Sequence, residues 1–465
     1  MRASWTSCAV VMALLAAAMV GCGGDEQPPR ARPNVLLIVV DTLRADHCSA
    51  YGYDRPTTPR MEQLAAQGVR FDIAYAPAAS TAPSHATLFT ATYPITHRLV
   101  KNGLALDETF PTLAEHLRDV GYDTAGVVSS FVMDAKFGLS RGFDYYDDQF
   151  PAEQAGPGVH GREWEGHTVE GVFDRTADHT SDSAIRWLRE TRDADRPFFL
   201  FVHYFDPHMV YDPPEPYRSR FAPKDPDASV LDIGIGWYDG EIAFTDAEIG
   251  RLLDALDELG LADDTLVILT ADHGEGLMDH GVLAHAMNIY EEAVRVPMVI
   301  RHTGRIPAGR VAAGPAQLVD LLPTILAHVD VHANGDHWQG ASVVTLWGDG
   351  PPPASRDVFL QRRHYDGNYL DGGFNRQKWV MGELFGIRRG DWKYIEGHDE
   401  DVRELYNLRS DPRELRNVVA AEPKVAEQLA ARLHAWMRDN VREAMQRPAL
   451  SDEDRARLEA LGYIA

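Results

Sequence analysis

Short, continuous apolar runs alternate with amphipathic stretches along most of the chain. Continuous runs rich in β-branched residues are typical of strands that are buried on both faces of a parallel sheet. Apolar positions three and four residues apart are typical of helices that pack on such a sheet. The predicted strands are 34–40, 71–75, 124–129, 197–203, 265–270 and 297–301, and the predicted helices are 60–68, 110–120, 176–189, 237–259 and 319–329. This alternation predicts an α/β fold in which a doubly wound, mostly parallel sheet is sandwiched by helices.

A second, smaller region follows the three consecutive prolines at 351–353. Its short apolar segments predict an antiparallel sheet and one closing helix. The predicted strands are 358–360, 385–388 and 392–395, and the predicted helix is 425–437. The chain has 465 residues, which is enough for one large domain and one small subdomain. We place the α/β domain at 34–350 and the small α+β subdomain at 355–446.

Two polar stretches stand apart from these regions. The glycine-rich and charged segment 149–171 predicts a surface insertion of the α/β domain, because such segments run over protein surfaces. The segment 447–465 is a C-terminal tail, and its residues 450–465 predict a charged helix with an aromatic end.

The N-terminus has the pattern of a targeting segment. Arg2 precedes the apolar run 10–20, which is too short to span a bilayer. The run ends in Met19-Val20-Gly21-Cys22, which resembles a bacterial lipoprotein signal in which the cysteine becomes the lipidated first residue. The alternative is a plain secretory signal peptide. We therefore predict a lipoprotein signal at 1–22, a flexible linker at 23–33, and an exported protein anchored in the bacterial cell envelope, facing the periplasm or the cell surface.

Charge and cysteine content narrow the partners further. The chain has 70 acidic residues against 45 lysines and arginines, a formal net charge of −25 at pH 7. This balance argues against a nucleic-acid partner, which would need a basic face. Of the three cysteines, Cys8 would leave with the signal and Cys22 would carry the lipid, so no disulfide framework is expected. Cys48 is predicted to be buried.

Polar residues follow two of the predicted strands and begin one predicted helix. Asp41 follows the strand 34–40, and Asp272-His273 follow the strand 265–270. Open α/β sheets bind their ligands at the carboxyl ends of strands. Thr81 lies where a helix begins, with Pro83 in the first turn, and a helix N-terminus favours an anion beside it. The alternative is that Thr81 and Ser84 only cap this helix.

If these segments converge, they form an oxygen-rich metal site. Asp41, Thr81, Asp272 and His273 would offer two carboxylates, a hydroxyl and an imidazole to one divalent cation. Such a set favours calcium, magnesium or manganese, and its histidine leaves zinc as an alternative. A cation there would lower the pKa of the Thr81 hydroxyl and neutralise charge on an ester. Four more histidines follow nearby strand ends or lie in the loop after His273: His203, His208, His280 and His285.

Several motifs together resemble the sulfatase family of the alkaline-phosphatase superfamily. They are NVLLIVVDTLRADHCSAYGY at 34–53, TAPSH at 81–85 followed by Leu88-Phe89-Thr90, TADHGE at 270–275, EEAVRVPM at 291–298, IRRGDWKY at 387–394 and ELYNLRSDPRELRN at 404–417. The resemblance covers most of 34–465. It implies an alkaline-phosphatase-like fold and an enzyme that hydrolyses sulfate esters.

The resemblance also implies roles for the residues at these positions. Asp41, Asp272 and His273 would hold one metal ion, usually calcium in this family. Thr81 would stand at the nucleophile position and touch the metal. His208 would be the catalytic histidine near the leaving oxygen.

Four further positions complete the implied site. His285 lies where the family has a Lys or His that contacts the transferred group, which makes it the third predicted catalytic residue. His85 replaces the Arg of the Cys/Ser-x-Pro-Ser-Arg motif. Asn102 resembles the Asn of a His-Gly-x-x-x-Asn-Gly segment of related phosphonate and sulfate ester hydrolases. His85, Asn102 and His203 are predicted to bind the substrate, an anionic sulfate or phosphate ester.

Three departures from the family pattern affect the expected chemistry. Sulfatases convert the Cys or Ser of their motif to formylglycine, and Thr81 is neither, so this modification is not expected. The Asp-Asp pair of many sulfatases is Asp41-Thr42 here, which removes one metal ligand. The Lys and His of a Gly-Lys-Trp-His segment are absent, and Ser129-Ser130-Phe131 is the corresponding region. An unmodified Thr is nevertheless the nucleophile in phosphodiesterases and phosphoethanolamine transferases of the superfamily.

Three functions therefore remain open. The first is a metal-dependent hydrolase of sulfate esters, in which Thr81 attacks the ester and His208 or His285 protonates the leaving oxygen. The second is a phosphodiester or phosphonate ester hydrolase, or a phosphotransferase, that uses unmodified Thr81. The third, from a different class, is a catalytically silent protein that binds metal or glycan.

Overall fold

The computed structural model describes residues 32–149, 173–312, 314–348, 356–367 and 380–441, together with two short strands at 163–164 and 167–168. The chain separates into the units Met1–Arg32 and Pro33–Ala465, and all residues discussed below belong to the second. The predicted signal at 1–22, most of the linker at 23–33, the prolines at 351–353 and the tail at 447–465 lie outside the described residues. The same holds for the predicted insertion 149–171, apart from residue 149 and the two paired strands.

The strands are numbered here in chain order. They are β1 (Asn34–Val40), β2 (Val69–Arg70), β3 (Ala74–Tyr75), β4 (Asp123–Val127), β5 (Tyr145–Asp147), β6 (Glu163–Trp164), β7 (His167–Thr168), β8 (Phe198–Tyr204), β9 (Thr265–Ala271), β10 (Gly276–Leu277), β11 (Leu283–Ala284), β12 (Met298–Arg301), β13 (Arg310–Val311), β14 (Ala316–Gln317), β15 (Asp357–Arg362), β16 (Leu384–Arg389), β17 (Trp392–Gly397) and β18 (Val402–Asn407).

The α-helices are Pro59–Gln67, Thr81–Thr90, Pro94–His97, Leu113–Asp119, Ala177–Arg186, Tyr217–Phe221, Val230–Glu258, Glu291–Val294, Leu321–His328 and Pro423–Asn440. Short 3-10 turns cover Ala45–His47, Ser49–Tyr51, Phe131–Met133, Ala135–Phe137, Ala262–Asp264, Leu318–Asp320 and Val344–Trp347, and a π-helical turn covers Trp187–Thr191. Among the described helices, none is both long enough and apolar enough to cross a bilayer.

The main sheet has eight strands in the order β13-β2-β12-β9-β1-β8-β4-β5. The five strands from β9 to β5 run parallel, and β12 runs antiparallel to both of its neighbours. Every residue of β1, β8 and β9 is buried, as expected for apolar strands covered on both faces. The predicted α/β architecture with a mostly parallel sheet is confirmed.

The register of the three central strands determines where the polar residues emerge. Val40 of β1 lies opposite Tyr204 of β8 and Ala271 of β9. Asp41 directly follows β1, and Asp272 directly follows β9. Because all three strands are parallel, their carboxyl ends meet at one edge of the sheet.

Helix boundaries differ from the sequence prediction where capping residues determine them. The long helix starts at Val230 rather than 237, because Ser229 and Asp232 form a capping box at its N-terminus. The helix predicted at 110–120 starts at Leu113, where Thr112 and Glu115 form a second capping box. Of the strand predicted at 71–75, only Ala74–Tyr75 forms a strand, β3, and the preceding strand β2 lies in a different sheet.

The C-terminal strands β15 to β18 form an antiparallel sheet in sequence order. The helix Pro423–Asn440 packs its buried residues against Ile387, Tyr394 and Leu405 of this sheet. The predicted antiparallel sheet with one helix is confirmed, and β18 is a fourth strand that the sequence prediction missed. Its sequence, VRELYN, shows no alternation of apolar and polar residues, since the buried residues Leu405 and Tyr406 are adjacent.

Candidate active site

Thr81 begins a helix whose ten residues are all buried. Ser80 has the extended backbone of an N-cap residue, but no side chain of the helix makes a capping hydrogen bond. Asn102 caps the helix instead, because its Oδ1 accepts from the Ala82 N–H at 2.9 Å and from Ser80 Oγ at 3.3 Å. Ser84 Oγ donates to the Ala78 carbonyl at 2.9 Å. The capping alternative for Thr81 and Ser84 is therefore wrong, and the Thr81 hydroxyl is left to face Asp41, 3.5 Å away.

Two fully buried carboxylates lie at the strand ends beside Thr81. Oδ1 of Asp272 accepts from the N–H groups of His273 at 2.7 Å and Thr42 at 3.3 Å. Oδ2 of Asp272 and Oδ1 of Asp41 are buried and accept no hydrogen bond from the described residues. Thr42 has a φ of 52°, which is rare for a β-branched residue, and this backbone directs its N–H at Asp272.

His273 completes a set of metal-ligating atoms. Its Nδ1 lies 2.9 Å from the Gly274 carbonyl, so Nδ1 carries the proton and Nε2 keeps a lone pair. That Nε2 lies 3.5 Å from Asp41 Oδ1 and 3.6 Å from Asp272 Oδ2. The backbone can turn so closely here because residue 274 is glycine: a Cβ would lie 2.0 Å from the Glu292 carbonyl oxygen. Asp41, Asp272 and His273 offer three ligand atoms within 4.8 Å of one another.

The electrostatics of this set fit a divalent cation. Burial, together with the charge of Glu275, raises the pKa of Asp41 to about 8. Burial and the neighbouring Asp41 raise the pKa of Asp272 well above its usual range. Carboxylates that share a dry site in this way need a counter-charge, and their unpartnered oxygens are the ligands that hard cations prefer. The predicted convergence of Asp41, Thr81, Asp272 and His273 is thus present in the structure, and their roles as ligands stay predictions.

His208 and His285 lie together on the other side of His273. The ring of His285 is 4.6 Å from the ring of His273 and 4.9 Å from that of His208. His208 stacks on Phe205 at 4.2 Å, and its Nδ1 donates to the Met209 carbonyl at 2.7 Å. Burial lowers the pKa of His208 well below its usual value. For His285 burial acts in the same direction, but the Glu275 carboxylate outweighs it and the pKa is raised.

His85 and His203 lie at the inner end of this cluster of side chains. The Nδ1 of His85 is 2.9 Å from the Thr81 carbonyl, and the Nε2 of His203 is 3.5 Å from Asp41 Oδ2. Their rings meet edge to face at 5.0 Å, and both are fully buried. Burial lowers the pKa of His203 to about 3 and that of His85 well below its usual value, so both imidazoles are neutral. Their predicted role in substrate binding stays a prediction.

Glu275 and Arg44 are site residues that the sequence reasoning missed. Glu275 is fully buried, with Oε1 3.1 Å from His285 Nδ1 and Oε2 accepting from the Tyr211 hydroxyl at 3.3 Å. Arg44 donates to the Glu275 carbonyl at 3.2 Å and pairs with Asp279 at 2.7 Å. Glu275 closes the TADHGE motif, so its position just after a strand end was an available signal. His280 lies apart from the cluster, where it contacts Glu292 at 2.8 Å and stacks on Tyr290.

The model of the sulfatase family matches residues 33–331, more than half of the chain. The chain belongs to the sulfatase family. A second model, described as the C-terminal part of N-sulphoglucosamine sulphohydrolase, matches residues 279–443. The family resemblance drawn from the sequence motifs and the alkaline-phosphatase-like fold that it implied are both confirmed.

Similar proteins cover nearly the whole described chain. N-acetylglucosamine-6-O-sulfatase of Bacteroides thetaiotaomicron is 25% identical, over 88% of this chain and 86% of its own length. The multifunctional alkaline phosphatase superfamily protein PehA of Trinickia caryophylli is 28% identical, over 85% of this chain and 92% of its own. The solved structure of the phosphonate monoester hydrolase of Agrobacterium radiobacter has a TM-score of 0.70 and 25% identity, covering 91% of this chain and 99% of that one.

Two of the departures from the family motifs can be located in this sulfatase-family site. Thr42, which stands in place of a second Asp, has a buried hydroxyl without a hydrogen-bond partner among the described residues. Ser129, in the region where the family has Lys and His, donates to the His203 carbonyl at 2.5 Å and contacts Thr180 at 2.7 Å. The hydroxyl of Ser129 therefore fixes the backbone of β8 and adds no positive charge to the site.

Proposed function

We propose that the chain is a metal-dependent hydrolase of sulfate esters whose nucleophile is the unmodified hydroxyl of Thr81. The observation that carries this proposal is the position of that hydroxyl, at a buried helix N-terminus and 3.5 Å from Asp41. It lies beside carboxylate oxygens and an imidazole nitrogen that have no hydrogen-bond partner among the described residues. Formylglycine is not expected, because residue 81 is neither Cys nor Ser.

Asp41, Thr81, Asp272 and His273 are the residues that would hold one divalent cation. The oxygen-rich set favours calcium, with magnesium, manganese and zinc as alternatives. The cation, when bound, lowers the pKa of the nucleophile and neutralises charge on the ester oxygens. The chain itself orients the Thr81 hydroxyl through the helix start that Asn102 fixes.

In the proposed reaction, the Thr81 hydroxyl gives its proton to Asp41 Oδ2, which it faces at 3.5 Å. The Thr81 oxygen forms a bond to sulfur while the bond from sulfur to the ester oxygen breaks. A protonated imidazole of the pair His208 and His285 would donate its proton to the departing oxygen. Glu275 holds the His285 ring by its contact at 3.1 Å, which keeps the pair in one orientation. Water would then attack the sulfated Thr81, release sulfate and restore the hydroxyl.

A second candidate is hydrolysis of phosphodiesters or phosphonate esters through the same Thr81, or transfer of the phosphoryl group to another acceptor. The similarity to a phosphonate monoester hydrolase and to PehA favours this candidate, as does a nucleophile that needs no modification. A protein that binds metal or glycan without catalysis is the remaining alternative. Bound metal without turnover on sulfate, phosphodiester and phosphonate esters would support it.

We further propose that the protein is exported and held at the cell envelope by a lipid on Cys22. The order of charged, apolar and small residues at 1–22 supports this proposal. Replacing Cys22 with Ser is expected to move the protein from the membrane fraction to the soluble fraction of a bacterial host. A protein that stays in the membrane fraction after this change would contradict the lipid anchor.

Substitution of Thr81 tests the proposed nucleophile. Thr81→Ala should lower kcat by roughly 10³-fold or more, because no other side chain replaces an activated nucleophile. Ser84→Ala is the matched control: it deletes a buried hydroxyl from the same helix, and that hydroxyl donates to the Ala78 carbonyl rather than facing Asp41. The measurement is turnover of an aryl sulfate, an aryl phosphodiester and an aryl phosphonate by metal-loaded protein, with intact mass to detect an adduct on Thr81. Unchanged turnover in Thr81→Ala would exclude this nucleophile.

A further inference from the structure

A second set of metal-ligating atoms lies next to the first. His85, His203 and Asp272 offer three ligand atoms within 4.8 Å of one another, and all three residues are fully buried. This set shares Asp272 with the set of Asp41, Asp272 and His273. The Oδ2 of Asp272 stands between the two sets, 3.6 Å from His273 Nε2 and 3.7 Å from His85 Nδ1.

Polar atoms of this second set have no hydrogen-bond partner among the described residues. They are Nε2 of His85, both ring nitrogens of His203, and Oδ2 of Asp272. Buried polar side-chain atoms are almost always paired, and an unpaired group costs about 1–3 kcal/mol. Unpaired atoms on three residues whose ligand atoms lie within 4.8 Å of one another are therefore better explained by a shared cation than by independent losses of that size.

The hydrogen bond of His85 has the form expected of a metal ligand. Histidines that bind metals donate their other ring N–H to a carboxylate or a backbone carbonyl, which fixes the tautomer and the ring. The Nδ1 of His85 donates to the Thr81 carbonyl at 2.9 Å, just as the Nδ1 of His273 donates to the Gly274 carbonyl at 2.9 Å. The partner of His85 is the backbone of the proposed nucleophile, so a ligand of this set and Thr81 are positioned together.

The charged groups around the second set are compatible with a cation bound there. Asp41 Oδ2 lies 3.5 Å from His203 Nε2, which adds a carboxylate to its surroundings. Arg175 acts electrostatically on His203, but its guanidinium is paired with Asp147 at 2.8 Å. His85 also stands where the family motif has an Arg, so the fixed positive charge of that position is missing here.

We propose that His85, His203 and Asp272 hold a second divalent cation beside the one held by Asp41, Asp272 and His273. Two imidazole nitrogens and one carboxylate oxygen suit zinc or another first-row transition metal better than calcium. The two sites would therefore differ in their preferred ion, with Asp272 as the shared ligand. The inference goes beyond the proposed function, because it concerns the number and kind of cations and holds whichever ester is cleaved.

Metal content of the purified full chain tests the proposal. After dialysis against a chelator, the protein is loaded with calcium and zinc together, washed, and analysed for metal per chain by mass spectrometry. We expect two cations per wild-type chain and one per chain of His85→Phe. Phe keeps a planar ring, and the His85 ring already lies edge-on to Phe201 at 5.8 Å. His97→Phe is the matched control and should keep both cations, because His97 is a buried histidine whose two nitrogens contact Thr87 and Leu99.

Cobalt provides a second readout that does not need a variant. A cobalt ion bound by His85, His203 and Asp272 should give visible absorption of a nitrogen-ligated site, titrating to a second equivalent after the calcium site is filled. One cation per wild-type chain, with no cobalt absorption beyond the first equivalent, would overturn the inference even if His85→Phe failed to fold. Two cations without ester turnover would count against the proposed function and leave this inference standing.

Discussion

Two clusters of charged side chains neutralise their charges in opposite ways. The first, the cation cluster, consists of Asp41, Asp272 and His273 at the strand ends and is fully buried. The second, the ion cluster, consists of Lys393, Glu291 and Glu414, in which Lys393 and Glu414 are fully buried and Glu291 keeps 13% of its side chain exposed. In the ion cluster, Lys393 Nζ lies 3.0 Å from Glu291 Oε1 and 3.0 Å from Glu414 Oε1. The Tyr75 hydroxyl donates to the other oxygen of Glu291 at 2.7 Å. The chain itself supplies the counter-charge there, because the Lys393 ammonium lies between the two carboxylates.

The cation cluster has the reverse arrangement. Asp41 and Asp272 have no Lys or Arg partner within ion-pair distance among the described residues, and one oxygen of each accepts no hydrogen bond from them. Burial lowers the pKa of the neighbouring imidazoles of His85, His203 and His273, whereas the pKa of His285, which also acts on both carboxylates, is raised. Buried charges that are paired within the chain, as in the ion cluster, contribute to the fold. Buried carboxylates without such a partner, as in the cation cluster, are available to bind an ion and a substrate.

The strongest test of this difference removes the carboxylate that both metal sets share. Asp272→Asn should abolish metal binding and lower turnover by roughly 10³-fold or more, because the anionic ligand is lost. The metal-free protein should lose no stability at pH 8, because Asn keeps an acceptor for the N–H groups of Thr42 and His273 and removes a carboxyl group whose ionised form burial disfavours. Metal analysis, turnover and urea unfolding of the metal-free protein measure these effects.

Asp246→Asn provides the contrast for that experiment. Asp246 is also a buried carboxylate, but its two oxygens accept from the N–H groups of Arg60 at 2.7 Å and Met61 at 3.0 Å. Asn can accept only one of these bonds, so the variant should be less stable and should keep its metal. Equal destabilisation of the metal-free protein by Asp272→Asn and Asp246→Asn would contradict the distinction between carboxylates with an unpaired oxygen and carboxylates whose two oxygens both accept hydrogen bonds.

The position of the cation cluster could be predicted from sequence because its main residues follow strands. A continuous apolar run fixes where β1 and β9 end, and parallel pairing then brings Asp41 and Asp272 to one edge. The pairing of His85 with His203 could not be predicted in the same way. One residue is inside a helix and the other inside a strand, and only the packing of that helix on the sheet brings their rings to 5.0 Å.

The second-largest expected effect is the loss of the lysine from the ion cluster. Lys393→Met should lower the free energy of unfolding by about 3–5 kcal/mol, because Glu291 and Glu414 would lose the ammonium group that lies between them. Metal content should not change. Lys136→Met is the control, since Lys136 pairs with Asp134 at 3.7 Å at the surface and should contribute about 1 kcal/mol or less. Equal effects of the two substitutions in urea unfolding would contradict the view that burial makes the ion cluster structural.

The ion cluster could not be predicted from the sequence. Lys393 belongs to the motif IRRGDWKY and to a predicted strand, but its full burial has no local signal, because lysine in a strand is usually exposed. Its partners come from the helix Glu291–Val294 and from the turn that contains Glu414, so the cluster exists only once the small sheet has docked. The capping box at Ser229, by contrast, is a local signal, and the start of the long helix could have been predicted from it.

Asp174 is neutralised in a third way, because this buried carboxyl group keeps its proton. Burial and the neighbouring Asp206 raise the pKa of Asp174 to about 8, from 3.8 in a model compound. Because the native pKa is above the unfolded one, its contribution to stability is fully present below about pH 3.8 and is lost as the pH rises through 8. The wild type should lose about 1 kcal/mol of unfolding free energy per pH unit from this group between pH 5 and pH 8. Asp174→Asn should remove that slope, as measured by urea unfolding of metal-free protein at both values. If the pH dependence of the unfolding free energy were the same in Asp174→Asn, the titrating group would be another residue, and Asp174 would not be the group that keeps its proton.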